Sequence, residues 1–257
     1  MYAPDVLQAS FRWLHIVAGI LWIGHLYFFN FVNGPMAAVL DAETKKKVVP
    51  ELMPRALFWF RWGAAFTWVT GVLLLALVFY HGALALEDQS QGWTGGALLM
   101  MLLTFAAPLF YELAQKCPIT KPAEKPYGAA ISGILLSTIF VALMYYVGGF
   151  SYRGMSIHLG AAFGTIMAFN VWFRIWPSQQ KIITAVKNGE APDAAIVKLA
   201  GTRSKHNTYM SVPLLWFMIN AHTTFAAIHW ITIPLFVLIG WHGVQHLYKK
   251  AAKVKGF

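Results

Sequence analysis

Apolar runs long enough to cross a lipid bilayer are the feature that most limits the folds open to this sequence. The first run, Phe11 to Phe31, reads "FRWLHIVAGILWIGHLYFFNF", and about 20 apolar residues span the hydrocarbon core. The 257-residue chain is 58% hydrophobic and only 12% charged, whereas a soluble domain carries about 25% charged residues. Because backbone polar groups in lipid need internal partners, we predict an all-α, polytopic membrane helical bundle.

Hydropathy predicts about seven transmembrane helices. They are expected near residues 9–33, 55–82, 94–116, 126–149, 155–176, 208–226 and 229–249. On this reading, residues 1–257 form a single integral membrane domain. The connection 177–207 is its only sizeable loop, and its sequence predicts a helix extension, a turn and a short amphipathic helix.

The distribution of basic residues predicts the orientation of these spans. Lysines and arginines concentrate in the connections 34–54, 117–125 and 177–207 and in the C-terminal tail, whereas "ALEDQSQGW" is acidic. The positive-inside rule then places the N-terminus outside and the C-terminus in the cytoplasm of a bacterial inner membrane. The net charge of +10 follows from this topology, so we do not expect nucleic acid as a partner.

Histidines at membrane depth are the candidate functional residues, because polar side chains there are costly and often functional. His15, His158 and His222 are expected near the outer ends of three spans. Neutral imidazoles from facing helices can hold haem b, and Arg12 could meet a haem propionate. His206, His242 and His25 form a second, inner group, so one haem b or two are possible. The alternative for each histidine is an ordinary hydrogen bond between helices.

A metal site of another kind is open to His242 and His246. Their i,i+4 spacing puts them on one helix face, where they could bind copper or zinc. No carboxylate or thiol near them in sequence completes such a site. Cys117 is the one cysteine of the chain, which excludes an internal disulfide and a CxxCH site for covalent haem.

Several sequence blocks, taken together, resemble a known family. They are "RWLHIVAGILWIG", "FRWGAAFTWVTG", "HLGAAFGTIMAFNVWF", "PSQQKIITAVKNGEAPD" and "RSKHNTYMSVPLLWFMINAH". In this order they are similar to the membrane domain of the bacterial cytochrome-c-linked urate hydroxylase. The resemblance implies an integral membrane oxidoreductase that oxidises urate and passes electrons to cytochrome c. The family's motif histidines fall on His15, His158, His206, His222 and His242.

One departure from the family bears on the electron acceptor. The family enzyme typically continues into a cytochrome c domain with a CxxCH motif, which these 257 residues do not contain. We therefore expect a separate cytochrome c, or other membrane redox subunits, as partners. The alternative function is a non-catalytic scaffold or electron-transfer subunit of a larger respiratory complex.

A purine substrate would need hydrogen-bond donors and a stacking ring. The sequence offers both at the predicted inner mouth of the sixth span, on Arg203, His206, Asn207 and Tyr209. We predict these residues as substrate contacts if urate enters the protein from that side.

Overall fold

The computed structural model describes residues 3–116, 128–220 and 229–255 and is built from helices. The α-helices of these ranges are α1 (Ala3–Tyr27), α2 (Gly34–Val39), α3 (Ala42–Leu74), α4 (Gly95–Lys116), α5 (Gly128–Tyr146), α6 (Tyr152–Asn170), α7 (Trp176–Asn188), α8 (Ala194–Asn220) and α9 (Thr232–Ala251). Three π-helical segments continue α1, α3 and α6 without a break: Phe28–Asn33, Leu75–Tyr80 and Val171–Ile175. The predicted all-α class is confirmed.

Several helical runs of this structure have the length and apolar composition of membrane-spanning helices. Four runs are long and apolar enough to cross a membrane, namely Asp5–Val39, Ala42–Tyr80, Gly95–Lys116 and Tyr152–Asn188, and Ala130–Tyr146 is a shorter apolar helix. The prediction of a membrane protein is confirmed. The number of seven spans and the orientation of the termini remain predictions.

The segment 177–207, predicted to hold a helix extension, a turn and a short helix, is mostly helical. Helix α7 continues the α6 run and ends at Asn188. Gly189 follows with a φ of +78°, which turns the chain so that the Glu190 amide donates back to the Ala185 carbonyl at 2.8 Å. Asp193 then caps α8, its Oδ1 accepting from the Ala195 amide at 2.7 Å. Helix α8 runs on without interruption to Asn220. The expected short amphipathic helix is therefore the first part of a long helix that continues into the predicted sixth span.

Helix α3 begins with a local cap of the same kind. Oδ2 of Asp41 accepts from the Thr44 hydroxyl at 2.6 Å, and Oδ1 accepts from the Thr44 amide at 2.9 Å. These bonds hold the pKa of the Asp41 carboxyl below its ordinary value. The residues expected to connect the first two spans therefore include the start of the second long helix.

The chain divides into two compact units. The first unit comprises Met1–Gly71, Met167–Tyr209 and Gly243–Phe257, and the second comprises Val72–Ile166 and Met210–His242.

Within the first unit, α1 packs directly against the backbone of α3. A Cβ atom added at Gly63 would lie 2.9 Å from the Trp22 amide nitrogen and 3.2 Å from the Ala18 carbonyl oxygen. One step further along the pair, the rings of Phe29 and Phe60 meet edge to face with centroids 5.3 Å apart. Small residues that allow such close backbone approach are typical of helix pairs in membranes.

Within the second unit, α8 and α9 pack in antiparallel order. Gly240 lies under the ring of Pro213, where an added Cβ would be 2.7 Å from Cδ. The rings of Trp216 and Phe236 stack with centroids 4.3 Å apart. Because the numbering rises along one helix as it falls along the other, the two helices run antiparallel.

A connection between helices is fixed to the start of α6 in the same unit. The carbonyl of Ala85 accepts hydrogen bonds from the backbone amide and the hydroxyl of Ser151, at 2.9 and 3.2 Å. Leu86 and Phe150 form an isolated antiparallel bridge. These contacts hold Phe150, which is 1% exposed, in the interior of the second unit.

The contact at Gly63 generates a stability prediction. We expect Gly63→Ala to lower the free energy of unfolding by about 1–3 kcal/mol, because the methyl group meets the α1 backbone rather than a side chain that can move away. Gly24→Ala is the matched control, since nothing lies within 4 Å of an added Cβ there. The control gains up to about 1 kcal/mol from helix propensity. Thermal unfolding in detergent measures both; equal stability of the two variants would contradict the packing described here.

Candidate functional site

His15 is oriented by two residues of the neighbouring helix α3. Its Nδ1 lies 3.1 Å from Oγ1 of Thr70. The Thr70 hydroxyl itself donates to the Phe66 carbonyl at 2.6 Å, so Oγ1 accepts from Nδ1–H of His15. The neutral imidazole therefore keeps its lone pair on Nε2, which is the arrangement found for histidines that bind metals through one nitrogen and are held by the other.

A glycine makes room for the His15 ring. A Cβ atom at Gly71 would lie 3.0 Å from Cε1 and 3.4 Å from Nδ1 of His15, so a larger residue would displace the imidazole. Two turns along α1, on the same helix face, the indole Nε1 of Trp22 is buried and has no hydrogen-bond partner within the described residues. This face of α1 thus presents a fixed imidazole and an unused donor.

His158, in the second unit, has both ring nitrogens hydrogen bonded. Nδ1 lies 2.7 Å from the Gly154 carbonyl, to which it donates. Nε2 lies 3.0 Å from the Tyr80 hydroxyl, so it accepts that proton. The side chain is 0% exposed, and the ring of Phe150 meets it edge to face at 4.7 Å. A metal could bind Nε2 only if Tyr80 moved.

The π-helical segments place side chains that the sequence did not single out. Tyr80 ends the segment Leu75–Tyr80, and Asn30 lies in Phe28–Asn33. A π segment adds a residue to a helical turn and is frequent at functional sites. No hydropathy pattern distinguishes these turns from ordinary helix, which is why neither Tyr80 nor Asn30 was predicted.

Asn30 lies at the centre of a polar cluster in the first unit. Its Nδ2 donates to the Leu26 carbonyl at 2.9 Å and to Oγ of Ser204 at 2.8 Å. Its Oδ1 accepts from the Tyr248 hydroxyl at 2.8 Å. The amide therefore ties three helical runs together. The Tyr248 ring also stacks on Tyr209, with centroids 5.9 Å apart.

The residues predicted as substrate contacts fall into different environments. Asn207 is fully buried, donates to the Met167 carbonyl at 3.0 Å and accepts from Asn170 at 2.9 Å. Its amide links α8 to the end of α6. Arg203 is also buried, whereas Tyr209 and His206 are half-buried. Of this group, the Tyr209 ring, partly exposed and stacked on Tyr248, is best placed for a planar molecule.

The other described residues predicted to bind a cofactor are exposed or bond only within their own helix. Arg12 is exposed, one turn before His15, and His25 donates to the Leu21 carbonyl of its own helix at 2.7 Å. His242 and His246 are exposed on one face of α9. His222 lies outside the described residues.

The described side chains form no metal site with several protein ligands. Across 3–116, 128–220 and 229–255, no group of three or more His, Cys, Asp or Glu could hold a metal ion. The copper or zinc alternative at His242 and His246 thus finds no third ligand in those ranges. A haem, which needs one or two axial ligands from the protein, is a different case.

The Tyr80–His158 bond generates a prediction of its own. Tyr80→Phe removes the donor to a buried ring nitrogen, so we expect it to destabilise the chain by roughly 0.5–2 kcal/mol. Tyr146→Phe is the control, because Tyr146 is 72% exposed. Unfolding of both variants in detergent is the measurement. If the two variants lost equal stability, the Tyr80 hydroxyl would not be the partner of His158.

Comparison with known proteins gives one match. A family described as "Urate oxidase N-terminal" matches residues 37–256. The match begins after α1, so it includes His158, His206, His222 and His242 but not His15. No curated protein and no solved structure matches the chain. Because the family match covers most of the sequence, the chain belongs to the urate oxidase N-terminal family, as a urate-oxidase-like membrane domain.

Proposed function

We propose that this membrane domain is an oxidoreductase of the bacterial inner membrane that oxidises urate, holds haem b, and passes electrons to a separate cytochrome c. Family membership supports urate as the substrate class. The observation that carries the haem is the orientation of His15, fixed by Thr70 and lodged against Gly71.

The residues around His15 fit an axial ligand in two respects. Nδ1–H is donated to an acceptor that is itself oriented by the α3 backbone, which fixes the tautomer and raises the basicity of Nε2. The absence of a side chain at Gly71 lets Cε1 and Nδ1 of the imidazole come close to α3. When bound, haem b would supply one-electron transfer. The chain's own contribution is to hold Nε2 in place and keep its lone pair available.

His158 has a different role in this proposal. Its Nε2 accepts from Tyr80, so we assign it first to packing in the second unit. It becomes a ligand only if Tyr80 turns away. A second haem at His158 would therefore show itself as a change in the environment of Tyr80.

Tyr209 and its neighbours are the residues best placed to contact urate. Urate is a planar anion, so an aromatic ring can stack on its plane and a cation can pair with its charge. Nζ of Lys205 lies 5.7 Å from the Tyr248 ring centroid, and Tyr209 stacks on the same ring. We propose that urate approaches Tyr209 and Lys205. Asn207 and Asn170 would position α8 without touching the substrate.

Three variants of the α1–α3 contact test the haem proposal. His15→Ala removes the ligand, so we expect loss of haem and of urate-dependent cytochrome c reduction. Thr70→Val keeps the volume but removes the acceptor for Nδ1–H; we expect retained haem with a shifted midpoint potential. Thr67→Val is the matched control. Its hydroxyl lies one turn away on α3 and donates to its own helix at the Gly63 carbonyl.

The outcomes separate clearly. A wild-type haem spectrum in His15→Ala would show that another residue binds the iron. A potential unchanged by Thr70→Val, or shifted equally by Thr67→Val, would remove the positioning role of Thr70. If haem is bound but urate does not reduce it, the chain is a redox protein whose electron donor is another molecule.

A second candidate is the cofactor-free scaffold subunit, which the saturated hydrogen bonding of His158 favours. In that case the buried histidine is an interhelical hydrogen-bonding residue of ordinary kind. A well-folded protein that stays colourless after haem-sufficient expression, yet co-purifies with respiratory subunits, would select this function over the first.

A further inference from the structure

A cleft in the first unit lies outside every site described above. It has a volume of about 270 Å³. Five of its lining residues come from one continuous helical run, the π-helical segment Val171–Ile175 and the start of α7, and two come from the first turns of α8. They are Phe173, Arg174, Pro177, Ser178, Lys181, Ile196 and Leu199.

The lining combines positive charge with apolar surface. Arg174 and Lys181 supply two cations, and no lining residue is acidic. Phe173 is 61% exposed and Leu199 is 39% exposed, so large apolar groups stand uncovered beside the cations. Ser178, which carries a hydroxyl group, is 5% exposed and lies between Arg174 and Lys181 in sequence. Such a cleft matches a molecule that joins an anionic group to an apolar one.

Arg174 is held in position within the cleft. Its Nη1 donates to the Phe173 carbonyl at 3.1 Å, and its guanidinium carbon lies 5.4 Å from the Phe169 ring centroid. A guanidinium with limited freedom loses less entropy when it binds a phosphate.

Two tryptophans near the cleft indicate that it lies at the membrane interface, between the hydrocarbon core and water. Trp172 and Trp176 lie on the same helical run, and the guanidinium carbon of Arg61 is 5.2 and 4.0 Å from their ring centroids. Tryptophans of this kind are enriched at the level of the lipid headgroups. The cations of the cleft begin within two residues of these rings in sequence, so they stand where lipid phosphates are found.

We propose that this cleft binds an anionic phospholipid. Arg174 and Lys181 pair with the phosphate, Ser178 donates to it, and Phe173, Ile196 and Leu199 contact the start of an acyl chain. Basic pockets between helices near the membrane surface recognise anionic headgroups in this way. The proposal does not depend on haem or on urate.

Charge-neutral variants test the proposal on the full chain in detergent. The probes are a short-chain phosphatidylglycerol, the matching phosphatidylcholine, inorganic phosphate and urate, each titrated while tryptophan fluorescence and thermal stability are followed. The test variant is Arg174→Gln with Lys181→Gln. The matched control is Lys187→Gln with Lys198→Gln, two exposed lysines of the same segment that do not line the cleft.

We expect phosphatidylglycerol to bind more tightly than phosphatidylcholine. The test variant should weaken that binding by roughly 10- to 30-fold, as expected for two surface cations, and the control variant should weaken it far less. Leu199→Gln should weaken phosphatidylglycerol binding while leaving the weak effect of inorganic phosphate unchanged, which separates lipid from free anion.

Three results would overturn the proposal. Equal weakening by the test and control variants would show only a diffuse attraction. Binding of inorganic phosphate as tight as that of phosphatidylglycerol would make the cleft a free-anion site. Urate binding that competes with the lipid and is lost in the test variant would make it a substrate site.

Discussion

The close approach of α1 to α3 is the contact on which the proposed chemistry depends. At Gly63 the two backbones are near enough to exclude a methyl group, and this fixes both the separation and the register of the helices. The same register carries His15 to Thr70 and Gly71, two turns further along α3. In lipid no hydrophobic effect drives helices together, so packing and hydrogen bonds must hold the pair. The close packing at Gly63 thus determines where the His15 imidazole lies along α3.

His15 and His158 show how the same side chain acquires different roles. His15 donates through Nδ1 and keeps Nε2 for a ligand, whereas His158 uses both nitrogens, with Gly154 and Tyr80 as partners. The difference arises from the neighbouring helix and not from the histidine. A small residue and a threonine face the first ring; a tyrosine at the end of a π segment faces the second. Saturated polar groups stabilise a fold in lipid, and an unsaturated one is a candidate for function.

Much of the fold follows from the sequence, because the bilayer leaves few alternatives. Apolar runs of sufficient length must be helices, and four such runs are present in the described residues. The family resemblance is confirmed by the match over residues 37–256. The hydrogen-bond partners of His15 and His158 could not be predicted from the sequence. Thr70 and Tyr80 are separated from them by 55 and 78 residues, and hydropathy does not reveal which helices pack together. Asn30 was missed for a related reason, since its π segment has the same composition as ordinary apolar helix.

We propose that this membrane domain holds haem b at an imidazole oriented by its own helices. The most direct measurement is a reduced-minus-oxidised absorption spectrum of the purified wild-type chain, combined with pyridine haemochrome to count haem per polypeptide. We expect sharp b-type bands with at least one haem per chain. A flat spectrum from well-folded protein, after expression with sufficient haem, would contradict it and leave the oriented His15 as a structural hydrogen-bonding residue.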